Sequence, residues 1–146
     1  MLQDSDISIA RGYSRDPSIL GMQSGHAELG DLIRHFLYSQ EHPDSDQQNI
    51  DLDQCPDISR CALSVYHSAV ATFYAPSDLS GLHGMHQERI RANPRWRNGP
   101  PRNDCVFVEH DANQKGFAGL HAARVLLFFS FYSLSLCTGA LVFSNW

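Results

Sequence analysis

Apolar residues recur with helical period in one place. Leu29, Leu32, Ile33, Phe36 and Leu37 fall at i, i+3, i+4, i+7 and i+8, the spacing of an amphipathic helix with one buried stripe, and predict a helix over 27–39. Further along, the period shortens to two. The run 62–75 (ALSVYHSAVATFYA) is rich in β-branched and aromatic residues, with Leu63/Val65 and then Ala69/Ala71/Phe73 alternating with smaller or polar neighbours. This predicts one kinked strand or two short ones. Pro76-Ser77-Asp78 breaks the pattern, Gly81 and Gly84 keep a loop open, and 85–92 offers a short Arg-bearing helix. Residues 93–103 are irregular, because Pro94, Pro100 and Pro101 remove donors and fix φ. A strand over 105–109, a turn over 111–116 and a longer strand over 122–131 follow. Residues 1–26 carry no sustained period and read as a mobile lead-in without an element. The stretch 41–57, polar, acidic and bounded by Pro43 and Pro56, reads as an exposed linker.

These elements predict an α+β fold: an N-terminal amphipathic helix, a short Arg-rich helix and an antiparallel β-sheet resembling an incomplete, partly open barrel. One domain is expected over 27–146, with Phe36, Phe73, Val106 and Phe128 sharing its core. The tail sets a choice. Residues 125–143 run nineteen positions without a charge, close to the length of a bilayer span, and suit a tail anchor. Ser130, Ser133, Ser135, Thr138 and Gly139 dilute the run, and its aromatic and β-branched content suits paired strands. Sheet is the expectation and a small tail-anchored membrane protein the alternative.

A length of 146 residues fits one domain of ordinary size, and the mix of 42% apolar and 18% charged residues excludes collagen, coiled coil and a wholly disordered chain. Charge is divided more sharply than composition. Residues 1–57 carry eleven acids against Arg11, Arg15 and Arg34, a sum of −8, whereas 58–146 sum to +3. Ten of the eleven basic residues are Arg and the other is Lys115, so any positive face is a guanidinium face suited to phosphate or carboxylate. Asp4 and Asp6 stand where a secretory signal has bases. Cys55, Cys61, Cys105 and Cys137 are therefore read as reduced thiols, and the expected location is nuclear or cytoplasmic.

The candidate binding residues are Arg89, Arg91, Arg95, Trp96, Arg97 and Arg102, five arginines within fourteen residues around one indole. Guanidinium groups hold phosphate while an adjacent ring stacks on a base or sugar. The competing reading packs Trp96 inward and pairs the arginines with acids of the N-terminal segment or of a partner protein. Catalytic candidates fail on spacing. Cys55, Cys61, His83 and His86 give C-x5-C and H-x2-H, outside the usual zinc ranges. Ser68 beside His67 on an extended strand faces away from it. Gly21-Met22-Gln23-Ser24-Gly25 lacks the Gly-Lys-Ser/Thr ending of a P-loop. Asp78, Glu88, Asp104, Glu109 and Asp111 form no two-metal signature. No catalytic residue, metal ligand or cofactor is expected.

A longer likeness runs through Asp53-Gln54-Cys55-Pro56, Val65-Tyr66-His67-Ser68-Ala69, Phe73-Tyr74-Ala75-Pro76-Ser77-Asp78 and Gly84-Met85-His86-Gln87-Glu88-Arg89-Ile90-Arg91. It continues through Trp96, Arg102-Asn103-Asp104-Cys105-Val106-Phe107-Val108, Gly119-Leu120, Ala123-Arg124-Val125 and Phe128-Phe129-Ser130-Phe131. Over these residues the chain resembles the C-terminal region of Plavaka-type transposases, CACTA-like mobile-element proteins of mushroom-forming fungi. The resemblance implies a β-rich, non-catalytic accessory module downstream of an RNase-H-like catalytic core, with DNA, the transposase catalytic region or another protein as partner. Asn103 replaces an aromatic usual before the Asp, and the sequence after Phe131 departs from the family pattern. That departure implies a domain truncated at its C-terminal end.

Overall fold

The computed structural model describes residues 9–44, 50–75, 77, 83–109 and 111–132, and the backbone of 136–143. Its fold is an α+β mix of two helices and two separate sheets, which do not close into a barrel. The chain divides into two compact units.

The helical unit spans Arg11–Ser64, with part of 130–138. Helix α1, Pro17–Ser24, forms in a stretch whose composition predicted no element. Its signals are at its ends. The Asp16 carboxylate accepts from the Ser18 and Ile19 amides at 2.9 and 3.1 Å, and Pro17 occupies the first turn, where its missing N–H costs nothing. Gly25 ends the helix at φ +77°, and the His26 amide donates to the Gly21 carbonyl at 2.8 Å, a Schellman closure. Gly21 is required there, since a Cβ would lie 2.6 Å from the His26 carbonyl oxygen. Helix α2, Leu29–Glu41, buries Leu29, Ile33 and Leu37. Leu32 and Phe36, 47% and 48% exposed, lie on the neighbouring stripe, so Phe36 is not the core residue that the periodicity predicted. The Arg34 side chain donates to the carbonyls of Leu52, Cys55 and Pro56. That end of the predicted linker is therefore anchored, and it contains a 3₁₀ turn over Leu52–Gln54; residues 45–49 lie outside the described residues.

The β-rich unit is built on Val65–Phe129. The run 62–75 forms two strands, β1 (Ser64–Tyr66) and β2 (Ser68–Tyr74), with the bend at His67. Residues 85–92, read as a helix, are instead part of strand β3, Met85–Asn93, antiparallel to β2 with Ala69 opposite Ile90 and Val70 opposite Arg89. The reason is alternation: Ile90 and Ala92 turn to the core while Arg89 and Arg91 take the opposite face. Strand β4, Arg102–Asn103, pairs with the end of β3, and β5, Cys105–Glu109, pairs antiparallel with β6, Leu120–Tyr132. β6 also pairs with β1 and with β7, Leu136–Phe143.

Residues 125–132 and 136–143 thus lie in strands, as the strand reading predicts, and among the described residues no helix is long and apolar enough to cross a membrane; residues 133–135 lie outside the described residues. The core of this unit holds Ala69, Ala92, Val125 and Phe128, with Tyr66, Ile90 and Val106 packed against it. Phe128 and Val106 therefore meet there as predicted, but Phe73 is 41% exposed. It sits near the far end of β2, with its ring 5.4 Å from that of His86 across the ladder.

Candidate nucleic-acid interface

The arginine segment is organised by the turn that joins β3 to β4 within the three-stranded sheet. β3 ends at Asn93, the chain turns through 94–101, and β4 returns with Asn103 opposite Ala92 and Arg102 opposite Asn93. The turn closes on itself: the Trp96 amide donates to the Pro100 carbonyl at 3.2 Å and the Gly99 amide to the Trp96 carbonyl at 2.8 Å. Arg97 and Asn98 adopt φ of 49° and 60° to make this reversal, a left-handed conformation that costs non-glycine residues about 1–2 kcal/mol each.

Asp104 is the junction. Its amide donates to the Arg91 carbonyl at 2.8 Å and its carbonyl accepts from Val125 at 3.0 Å, joining β3 to β6. Its carboxylate accepts from the Arg91 amide at 2.9 Å and from Arg102 Nε at 2.9 Å. Beside it, Asn103 Nδ2 donates to the Val125 carbonyl at 2.8 Å. Residues 103 and 104 thereby fix the end of β3, the end of β4 and the middle of β6 against one another.

Around this frame three guanidinium groups surround one indole. The Cζ atoms of Arg91, Arg102 and Arg97 lie 5.0, 5.1 and 5.3 Å from the centroid of the half-buried Trp96 ring. Each contact contributes about 0.5–1 kcal/mol at an exposed site and holds the planar cation in a defined orientation. Among the described residues Asp104 is the acid that pairs with this cluster, at Arg102. A groove of about 530 Å³ opens beside it, lined by Trp96, Pro100, Pro101, Arg102, Asn103 and Arg124.

The structure thus gathers Arg91, Trp96, Arg97 and Arg102. Arg89 lies farther down β3, its Nη1 donating to Ser68 Oγ at 3.1 Å. Arg95 is exposed, its amide donating to Asn93 Oδ1 at 2.9 Å, and makes none of the contacts with the Trp96 ring. Sequence reasoning missed Arg124. It reaches the groove because β6 pairs with β5, placing it opposite Cys105; a lone charged residue between apolar Ala123 and Val125 in the expected strand 122–131 was the available signal.

Elsewhere, Ser68 Oγ accepts from Arg89, and burial lowers the pKa of His67. Among the described residues no group of three or more His, Cys, Asp or Glu side chains is placed to hold a metal ion. Cys55 and Cys105 are free thiols, and the side chain of Cys137 lies outside the described residues. No protein-family model, curated protein or solved structure matches the chain.

Proposed function

We propose that this chain is a non-catalytic accessory module that binds nucleic acid weakly, without sequence preference, through the surface formed by Arg91, Trp96, Arg97, Arg102 and Arg124. The observation that carries this reading is the convergence of three guanidinium groups on one ring, with a fourth at the adjoining groove and Asp104 as their acid among the described residues. Like charges so close repel one another, and a polyanion relieves that repulsion. Guanidinium forks held by an aromatic ring are set for phosphate oxygens, which position a protein on nucleic acid without reading its sequence. The likeness to the C-terminal region of Plavaka-type transposases supplies a context: an accessory surface that contacts DNA beside a catalytic region elsewhere.

Fluorescence anisotropy with labelled random-sequence duplex DNA tests the reading. The expected Kd lies in the range of about 10⁻⁴–10⁻⁶ M near physiological salt, typical of non-specific contacts. Changing Arg91, Arg97, Arg102 and Arg124 together to Gln should weaken binding at least about tenfold, from the loss of up to about four phosphate contacts. Equal binding by the two proteins overturns the reading. Capture of polyglutamate in preference to DNA would assign the surface to an acidic protein partner instead.

A further inference from the structure

We infer that the groove beside Trp96 is a seat for one unpaired nucleotide, so that the chain prefers single-stranded to double-stranded nucleic acid; this rests on the nucleic-acid reading above and narrows it. A bare phosphate site needs only cations. This groove has more: Arg102 and Arg124 as cations, the rings of Pro100 and Pro101 and part of Trp96 as apolar wall, and Asn103 as a polar group. Asn103 Nδ2 is already committed to the Val125 carbonyl at 2.8 Å. Its amide is thereby oriented, and Oδ1, which makes no hydrogen bond among the described residues, is available as an acceptor. The space, about 530 Å³, falls within the roughly 300–1,000 Å³ range of sites that enclose small organic ligands.

A ligand that satisfies all of these groups carries an anion, a flat apolar body and an N–H donor at its edge. A nucleotide with its base unstacked has that combination. Its phosphate meets Arg102 and Arg124, its base lies on the proline rings or on a guanidinium plane, and an exocyclic amino or imino group donates to Asn103 Oδ1. A duplex offers only the phosphate, because its bases are stacked inside a convex cylinder that leaves the apolar wall uncovered.

The test uses the full chain carrying Trp146→Phe, so that Trp96 is the only indole. Twelve-nucleotide single-stranded DNA and a twelve-base-pair duplex are titrated at one low salt concentration, reading anisotropy and indole emission. The single strand should bind at least about tenfold tighter and alter Trp96 emission. Arg124→Gln should remove about tenfold of single-strand affinity but less than about threefold of duplex affinity. Arg124→Lys keeps the charge without the planar fork and should fall between them. Arg124 is an exposed residue of β6, and a melting curve for each variant verifies folding. Duplex binding as tight as single-strand binding, both lost when the four arginines are changed to Gln, leaves the polyanion surface standing and overturns the groove assignment. If neither strand form binds, both readings fall.

Discussion

Replacing Asp104 by Asn removes one charge and one acceptor at the point where β3, β4 and β6 meet. The carboxylate accepts from the Arg91 amide and from Arg102 Nε, both at 2.9 Å. Asn presents one oxygen in place of two, and its NH₂ faces whichever donor is left. A hydrogen bond to a charged group contributes about 1.5–3 kcal/mol net, and an unsatisfied donor costs about 1–3 kcal/mol when buried. The Arg102 side of the pair is 42% exposed, which brings that half down to the roughly 0.2–1 kcal/mol of a surface ion pair. The expected loss for Asp104→Asn is therefore about 1–3 kcal/mol, and Arg102→Ala should lose only about 0.2–1 kcal/mol. At about 2–4 °C per kcal/mol for a chain near this size, Asp104→Asn lowers Tm by roughly 2–12 °C. Urea denaturation of the three proteins at constant pH gives the values. Asp104→Asn within about 0.5 kcal/mol of the parent, the scatter of ordinary surface changes, would refute the junction role. So would an Arg102→Ala loss as large as that of Asp104→Asn.

Other changes separate core from periphery. Phe128→Ala, in the core of the β-rich unit and 7% exposed, should cost about 3–5 kcal/mol, whereas Phe36→Ala and Phe73→Ala should each cost well under half as much by the same chemical denaturation. Gly25→Ala forces a Cβ into a φ of +77° and should lose about 1–2 kcal/mol, visible as reduced helical dichroism stability on heating. Burial lowers the His67 pKa from its ordinary 6.5, so the unfolded chain takes up the proton first on acidification. The stability contributed by keeping His67 neutral is full above the ordinary value and is lost as pH falls through the folded value. Urea midpoints from pH 8 to 5.5 should accordingly fall less steeply for His67→Phe than for the parent; parallel slopes would remove His67 from the acid response.

The elements legible in the sequence are those whose pattern is local and sustained. The stripe Leu29/Ile33/Leu37 announced α2, and the apolar run 105–109 announced β5 with the bounds observed. Helix α1 was written in its ends, Asp16-Pro17 and Gly25, and not in its middle: it buries Leu20 but leaves Ile19 and Met22 exposed, so no apolar stripe marks it. Residues 85–92 have only Ile90 and Ala92 directed to the core, too few to distinguish a period of two from 3.6, and pairing with β2 decided the outcome. The candidate site shows the same division. Five arginines around Trp96 are visible as a charge cluster, but which of them meet the ring depends on the β3–β4 register that sets Asn93 opposite Arg102. Arg124 joins only through the long-range pairing of β5 with β6.

The salt dependence of DNA binding measures the central claim, that guanidinium groups of this surface neutralise phosphates. With up to four contacts, and Asp104 offsetting part of one, log K for duplex DNA should fall against log salt with a slope of about −2.7 to −3.6, at about 0.9 per contact. The protein with Arg91, Arg97, Arg102 and Arg124 changed to Gln should give a slope near zero together with weaker binding. A parent affinity indifferent to salt, or the same slope in both proteins, would contradict the account.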